Sequence, residues 1–137
     1  MAQIVKEEFL ESLLTHEIKE LSRIKAQLNL AEHVPAIDNV TVAVVPVRGK
    51  AVEEVTEPIK SVLRDSDVMF PGEGYLILLL PGTDEMGAIH ILEGVSEFLG
   101  GEMKFSYVVY PQEGESAKEL VDRLKEKAKA ELGVTLS

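Results

Sequence analysis

The chain has no cysteine and no tryptophan, and its only aromatic residues are four Phe and three Tyr. Without cysteine there is no disulfide framework, no thiolate zinc site and no thiol nucleophile. Cations are scarce as well: 14 Lys plus Arg stand against 24 Asp plus Glu, a formal net charge of −10. A surface that acidic disfavours nucleic acid polymers and anionic membranes, whose phosphates are held by clustered Lys and Arg. A single cationic pocket for a nucleotide stays open. No apolar run is long enough to span a bilayer, so no membrane insertion is expected. Met1 to Glu8 lacks a basic stretch followed by an apolar one, and a cytoplasmic protein is the expectation. His16, His33 and His90 lie far apart with no carboxylate motif around them, so no metal site and no cofactor are expected. Plentiful Glu and Lys beside absent Cys and Trp and few Asn and Gln lean towards a thermophile.

What is present is enough for one domain: 137 residues, 45% of them hydrophobic. Val40 to Val47 is β-branched and almost wholly apolar, the signature of a buried strand, and Pro46 near its end removes a ladder donor. Leu76 to Pro81 is a second continuous apolar run, the central strand of a sheet covered on both faces. Ahead of it, Val68-Met69-Phe70 and the tip Pro71-Gly72-Glu73-Gly74 form the other leg and the turn of a hairpin, with Gly72 and Gly74 free to take positive φ. Met103 to Tyr110 alternates as the next strand. Gln3 to Ala31 carries apolar residues at helical spacing, and Glu32-His33-Val34-Pro35 ends that helix; Ala36 to Asn39 is a linker. Leu14, Leu21 and Leu28 repeat every seven residues with Ile18 between the first two, which fits either a helix packed on its own domain or a two-stranded coiled coil with a second copy.

Three more helices are expected. Ala51 to Leu63 contains Pro58, so it is either kinked or begins near Thr56 with Pro58 in its first turn. Asp84 to Leu99 follows Thr83 as N-cap and ends at Gly100-Gly101. The last follows Ser116, with Glu119 completing a capping box, and ends at Gly133. Val134 to Leu136 closes as a short strand or a frayed tail. After the first helix the order is β-α-β-β-α-β-α, and its first six elements predict an α+β, ferredoxin-like βαββαβ core. Helices cover the antiparallel sheet, with one amphipathic helix added at the N-terminus and one at the C-terminus. Residues 1–35 are read as the N-terminal amphipathic helix and 36–137 as the domain proper.

Two blocks carry a family resemblance. Arg64-Asp65-Ser66-Asp67, the turn Gly72-Glu73-Gly74-Tyr75-Leu76, the run Ile77 to Pro81 and Thr83-Asp84 follow one another as in the GGDEF-type diguanylate cyclase domain. So does Tyr110 to Leu120. The resemblance covers roughly residues 40 to 130 and implies a nucleotidyl-cyclase-like fold. Members of that family dimerise to condense two GTP molecules into cyclic di-GMP with two metal ions. The residues that resemblance requires are missing here. The two adjacent acidic positions of the turn fall on Gly74 and Tyr75, and a shift of register rescues only one of them, through Glu73. The acidic positions at the end of the first strand fall on Pro46 and Arg48. Two-metal phosphoryl transfer needs carboxylates, and an Arg in that place repels the ion. The first helical region, which in the family holds guanine and ribose, is shortened between Gly49 and Leu63. The basic residue near the end of the last helix is Lys127 or Lys129. The resemblance therefore implies a degenerate module with no catalytic residues.

One family element survives, the Arg-x-x-Asp product site, at Arg64 and Asp67. Arg offers a planar fork to phosphate or a guanine edge, and Asp accepts from guanine N–H groups. The plain alternative is a helix-end ion pair. Tyr75, Tyr107 and Tyr110 could stack a base, or fill core and edge. Glu73 could serve as a lone base or sit solvated at the tip; Glu53-Glu54 and Glu113 to Glu115 read as solvated faces. The expected function is a catalytically inactive signalling or regulatory module that works by protein–protein contact or as a homodimer, with Leu14, Ile18, Leu21 and Leu28 as its interaction helix. The alternative is a receptor for cyclic di-GMP or another nucleotide at Arg64 and Asp67, and an active nucleotidyl cyclase is the least favoured reading.

Overall fold

The structure is a computed structural model in which residues 2–28, 38–49, 51–101 and 104–137 are described. Its strands are β1 (Gln3–Ile4), β2 (Val40–Pro46), β3 (Val68–Pro71), β4 (Tyr75–Pro81) and β5 (Ser106–Tyr110). Its helices are α1 (Leu10–Leu28), α2 (Val52–Lys60), α3 (Glu85–Phe98) and α4 (Ala117–Lys127), the last prolonged by one wider π turn, Ala128–Leu132. The strands form one sheet in the order β1-β3-β4-β2-β5. All neighbours are antiparallel except β1, which runs parallel to β3. From β2 to β5 this is the expected ferredoxin-like βαββαβ arrangement.

The alternation of side chains across the pleat divides the core into two halves. Val40, Val42, Val44, Phe70, Tyr75, Ile77, Leu79 and Val108 face one way, onto Leu10, Leu14 and Leu21 of α1 and Leu120, Val121 and Leu124 of α4. Ala43, Val45, Met69, Leu76, Leu78 and Leu80 face the other way, onto Val52, Val55 and Ile59 of α2 and Ala88, Leu92 and Val95 of α3. The whole of β2 is buried, and so is β4 as far as Leu80.

Several local expectations are corrected. The leading helix begins at Leu10, not Gln3: the preceding residues make the two-residue β1 and a 3-10 turn over Glu7–Phe9. A strand that short leaves no periodicity to read. Residues 29–31 of the expected helix, its stop at Glu32 to Pro35, residues 36 and 37 of the linker, and Met103 all lie outside the described residues. Of the two alternatives for α2, the start near Thr56 is the one overturned: the helix begins at Val52 and holds Pro58 inside it, in its second half. Asp84, not Thr83, caps α3, its carboxylate accepting from the Gly87 N–H at 2.9 Å. The capping box at α4 is half formed. Ser116 Oγ accepts from the Glu119 N–H at 3.2 Å, while the Glu119 carboxylate takes the Glu115 N–H instead. Residues 134–136 are neither strand nor frayed tail: Leu136 is buried in the first core half, and the Ser137 N–H donates to the Glu7 carboxylate at 3.2 Å.

Helix α1 lies on its own sheet. Leu14 and Leu21 are buried there and Ile18 packs partly against them, whereas Leu28, the third residue of the seven-residue repeat, is 58% exposed. Truncating a buried leucine removes transfer energy and leaves a cavity, a loss of about 2–5 kcal/mol. Leu14→Ala is therefore expected to lower the denaturant midpoint by that much stability, and Leu28→Ala by less than about 0.5 kcal/mol. Equal losses would mean that α1 does not sit on the sheet.

Candidate functional site

Strand β2 and the hairpin meet where the family resemblance expects metal. Pro46 pairs with Tyr75, the Val47 N–H donates to the Gly74 carbonyl at 2.9 Å, and the Gly72 N–H closes the turn on the Tyr75 carbonyl at 2.9 Å. Of the two tip glycines only Gly74 takes a positive φ, at 82°. Gly72 is needed for closeness instead: a Cβ there would stand 2.2 Å from the Tyr75 ring.

The side chains at this corner point away from metal chemistry. Tyr75 is buried in the core half that holds α1 and α4, and its O–H donates to both Glu7 carboxylate oxygens, at 2.7 and 2.5 Å. Burial first, and then that bond, push the Tyr75 phenol above its ordinary pKa. The Arg48 guanidinium donates to the Leu132 carbonyl at 3.1 Å, at the C-terminal end of the last helix, where a cation is favoured. Glu73 is exposed at the tip. Pro46, Arg48, Gly74 and Tyr75 offer no carboxylate. Among the described residues no group of three or more His, Asp or Glu is placed to hold a metal ion. The residues present do not fit the metal pair that the resemblance implies.

At the opposite end of the sheet Arg64 and Asp67 form a closed clasp. Asp67 is wholly buried, and its carboxylate accepts from the Arg64 backbone N–H at 2.9 Å, from Nε at 3.2 Å and from Nη2 at 2.7 Å. The same Nη2 donates to Thr83 Oγ1 at 2.6 Å and to the Pro81 carbonyl at 3.1 Å. Thr41 Oγ1 in turn donates to the Thr83 carbonyl at 2.9 Å. The clasp thus ties the α2–β3 turn to the β4–α3 turn. The Arg64 side chain is 46% exposed, but Asp67 shows no acceptor to solvent. Sequence spacing picks out the pair and misses Thr83, whose residue type and place suggest a helix cap; only the folded chain brings position 83 to position 64.

The three tyrosines do not share a surface. Tyr75 lies in one core half and Tyr110 packs against it, while Tyr107 packs on the other face. Tyr107 belongs to a polar network along the outer edge of β5. Its O–H donates to Glu85 at 2.8 Å, Lys127 stands 5.1 Å from its ring centre, and the Lys127 ammonium donates to the Tyr107 carbonyl. Glu113, expected as a solvated residue, is part of the same network. It accepts from the Val109 N–H, from Arg123 and from Lys127, each at 3.3 Å. Lys127 is the basic residue so engaged; Lys129 is exposed. His16 and His90 are exposed, and His33 lies outside the described residues. Near this network a cleft of about 340 Å³ opens between Asn39, Asp84, Glu85, Met86, Val109, Gln112 and Glu113.

Two outcomes follow from these contacts. Arg64→Ala strips a fully buried carboxylate of its partner; losses of about 3–5 kcal/mol are usual for buried pairs. Because Arg64 is half exposed, a loss of about 2–3 kcal/mol in chemical denaturation is expected, and an unchanged midpoint would show the clasp to be superficial. The second concerns pH. Burial, the Glu85 bond and the charges of Glu113 and Glu131 push the Tyr107 phenol from its ordinary 10.0 up to about 12. The neutral phenol is the form the fold favours, so its contribution is complete below pH 10 and is lost as pH rises from there through about 12. Stability should fall across that window in the wild type and fall less steeply in Tyr107→Phe; parallel curves would contradict the assignment.

No protein-family model matches the chain, and no curated protein matches it. Solved structures do. The GGDEF domain of a Pseudomonas aeruginosa protein superposes with a TM-score of 0.65 at 14% identity, over 96% of this chain and 94% of that one. A sensory box/GGDEF family protein from Caulobacter crescentus gives 0.61 at 16% identity, over 92% and 93%. A DGC protein from Thermotoga maritima gives 0.58 at 16% identity, over 92% and 95%. Among the described residues no helix is long and apolar enough to cross a membrane. The chain has the fold of the GGDEF domains of diguanylate cyclases.

Proposed function

We propose that this chain is a GGDEF-like module without cyclase activity, which regulates through contact with another protein or with a second copy of itself. One observation carries the proposal. At the corner where the resemblance calls for metal-binding carboxylates, Arg48 is bonded to the Leu132 carbonyl and the buried Tyr75 to Glu7. A triphosphate with its ions would meet a guanidinium, a proline and a buried phenol there. What remains for signalling is surface, with α1 the chief candidate. Its Leu14 and Leu21 are spent on the sheet, so a partner would engage the exposed side and the Leu28 end of the helix.

The receptor reading at Arg64 and Asp67 draws less support from the geometry. A guanine edge needs an acceptor, and the Asp67 carboxylate is buried and already accepts three N–H groups of Arg64.

The test combines GTP turnover in Mg²⁺ and in Mn²⁺ with calorimetric titration of cyclic di-GMP and with light scattering over a range of concentrations. The expected outcome is no cyclic di-GMP formed, no heat from cyclic di-GMP, and a mass that rises with concentration or with an added partner. Turnover of GTP would overturn the inactive reading. Saturable heat from cyclic di-GMP that vanishes in Arg64→Ala, with the variant still folded, would replace it with the receptor reading.

A further inference from the structure

The segment ahead of α1 is bonded to both legs of the hairpin. On one side the Gln3 N–H donates to the Asp67 carbonyl at 3.3 Å and the Val5 N–H to the Met69 carbonyl at 2.8 Å, along β3. On the other side Glu7 receives the Tyr75 O–H, at 2.7 and 2.5 Å, at the first residue of β4. The Ser137 N–H completes the cluster, 3.2 Å from Glu7 Oε2 and 3.2 Å from Tyr75 Oη. Ala2 is buried and Val5 partly so, but Gln3, Ile4, Glu8 and Phe9 are exposed. A bond from a phenol to a carboxylate is charge-assisted and strong for its size. The ring that Glu7 holds is the one lying against Gly72, so the carboxylate fixes the side chain around which the tip is folded.

We propose that the bonds joining Glu7, Tyr75 and Ser137 are a latch between the start of α1 and the hairpin. Displacing residues 2–9 releases the Tyr75 ring and loosens the tip, and a loosened tip frees the segment in return. Such coupling is reciprocal by necessity. A partner that engages the exposed side of α1 and lifts its start would then be reported at the β2–β4 corner. The latch rests on the reading of α1 as the helix that partners engage. Its test needs no partner and no nucleotide, so either reading can fail while the other stands.

Native-state hydrogen exchange of the whole chain reads the latch directly, because locally opened amides exchange ahead of global unfolding. Three sets of amides are followed in the wild type, in Glu7→Ala, in Tyr75→Phe and in the double variant: Gln3 and Val5; Val47 and Gly72 at the hairpin corner; and Val42 and Val44 in the centre of the sheet. The loss of one strong bond corresponds to roughly tenfold in a local opening equilibrium. Both outer sets are expected to exchange about tenfold faster in either single variant, the central set to be unchanged, and the double variant to add nothing further. Faster exchange at Gln3 and Val5 alone would mean a fraying segment and no latch. An equal rise in all three sets would mean a merely structural bond. Additive effects in the double variant would mean that the two residues act separately. Each of these results overturns the proposal. Tyr75→Phe keeps the ring that packs against Gly72, so it remains informative if Glu7→Ala fails to fold.

Discussion

Strands β2 and β4 pair along their whole lengths, from Val40 opposite Pro81 to Pro46 opposite Tyr75, and apart from Thr41 both are apolar on both faces. A sheet with such a centre cannot leave either face to water, so it has to be covered twice. The two crossovers of the βαββαβ core supply only one layer, α2 and α3. The other face is closed by α1 and α4, which lie outside the core motif in sequence and are indispensable to it in space. That explains why α1 turns Leu14 and Leu21 inwards. Those residues face Val42, Val44 and Ile77, which would otherwise be exposed, and a helix pairing with a second copy through the same residues would strip the sheet.

The edges pose a separate problem, because unpaired N–H and C=O groups invite another strand. At β5 the outward groups are met by side chains: Lys127 on the Tyr107 carbonyl and Glu113 on the Val109 N–H, while the Glu113 N–H takes the Val109 carbonyl. Charged side chains thus occupy places that a foreign strand would use. At β3 the cover is a strand from the chain itself, β1. One edge is therefore closed by ions and the other by a short segment held by a few bonds, so a change at the edges should begin at β1.

Much of this fold is legible in the sequence and some is not, for identifiable reasons. Continuous apolar runs at 40–47 and 76–81 have one reading in a chain of this length, and the helices that alternate with them fix the topology. The blocks around Arg64 and the hairpin point to the same fold independently of that periodicity. The short β1 has no pattern that sequence could carry, since two exposed residues form it. Thr83 and Asp84 are adjacent residues of similar capping ability, and only the position of Arg64 decides that Thr83 serves the clasp while Asp84 caps α3. Glu113 reads as one acid among several until the fold brings Arg123 and Lys127 beside it. Asp67 reads as a ligand acceptor, and its burial is a property of the two turns it joins. Local signals survive in sequence; partners distant along the chain do not.

Pro46, Arg48 and Tyr75, at the corner where the resemblance calls for acids, belong to the fabric of the fold. Arg48 satisfies the carbonyl at the negative end of the last helix, and an acid in its place would add like charge to that end. Tyr75 fills the space over Gly72 and holds Glu7. An acid there would leave that space empty, put a charge among Val44, Ile77 and Leu136, and set it against Glu7. Pro46 closes β2 opposite Tyr75 without asking for a ladder partner on its nitrogen. Building a metal site here therefore requires more than substituting positions 46, 48, 74 and 75 in a preserved frame. It requires new partners for the helix end, for the start of α1 and for the cavity beneath the turn. On these grounds the corner is stabilised as it stands, and carboxylates could be placed there only at the expense of its packing.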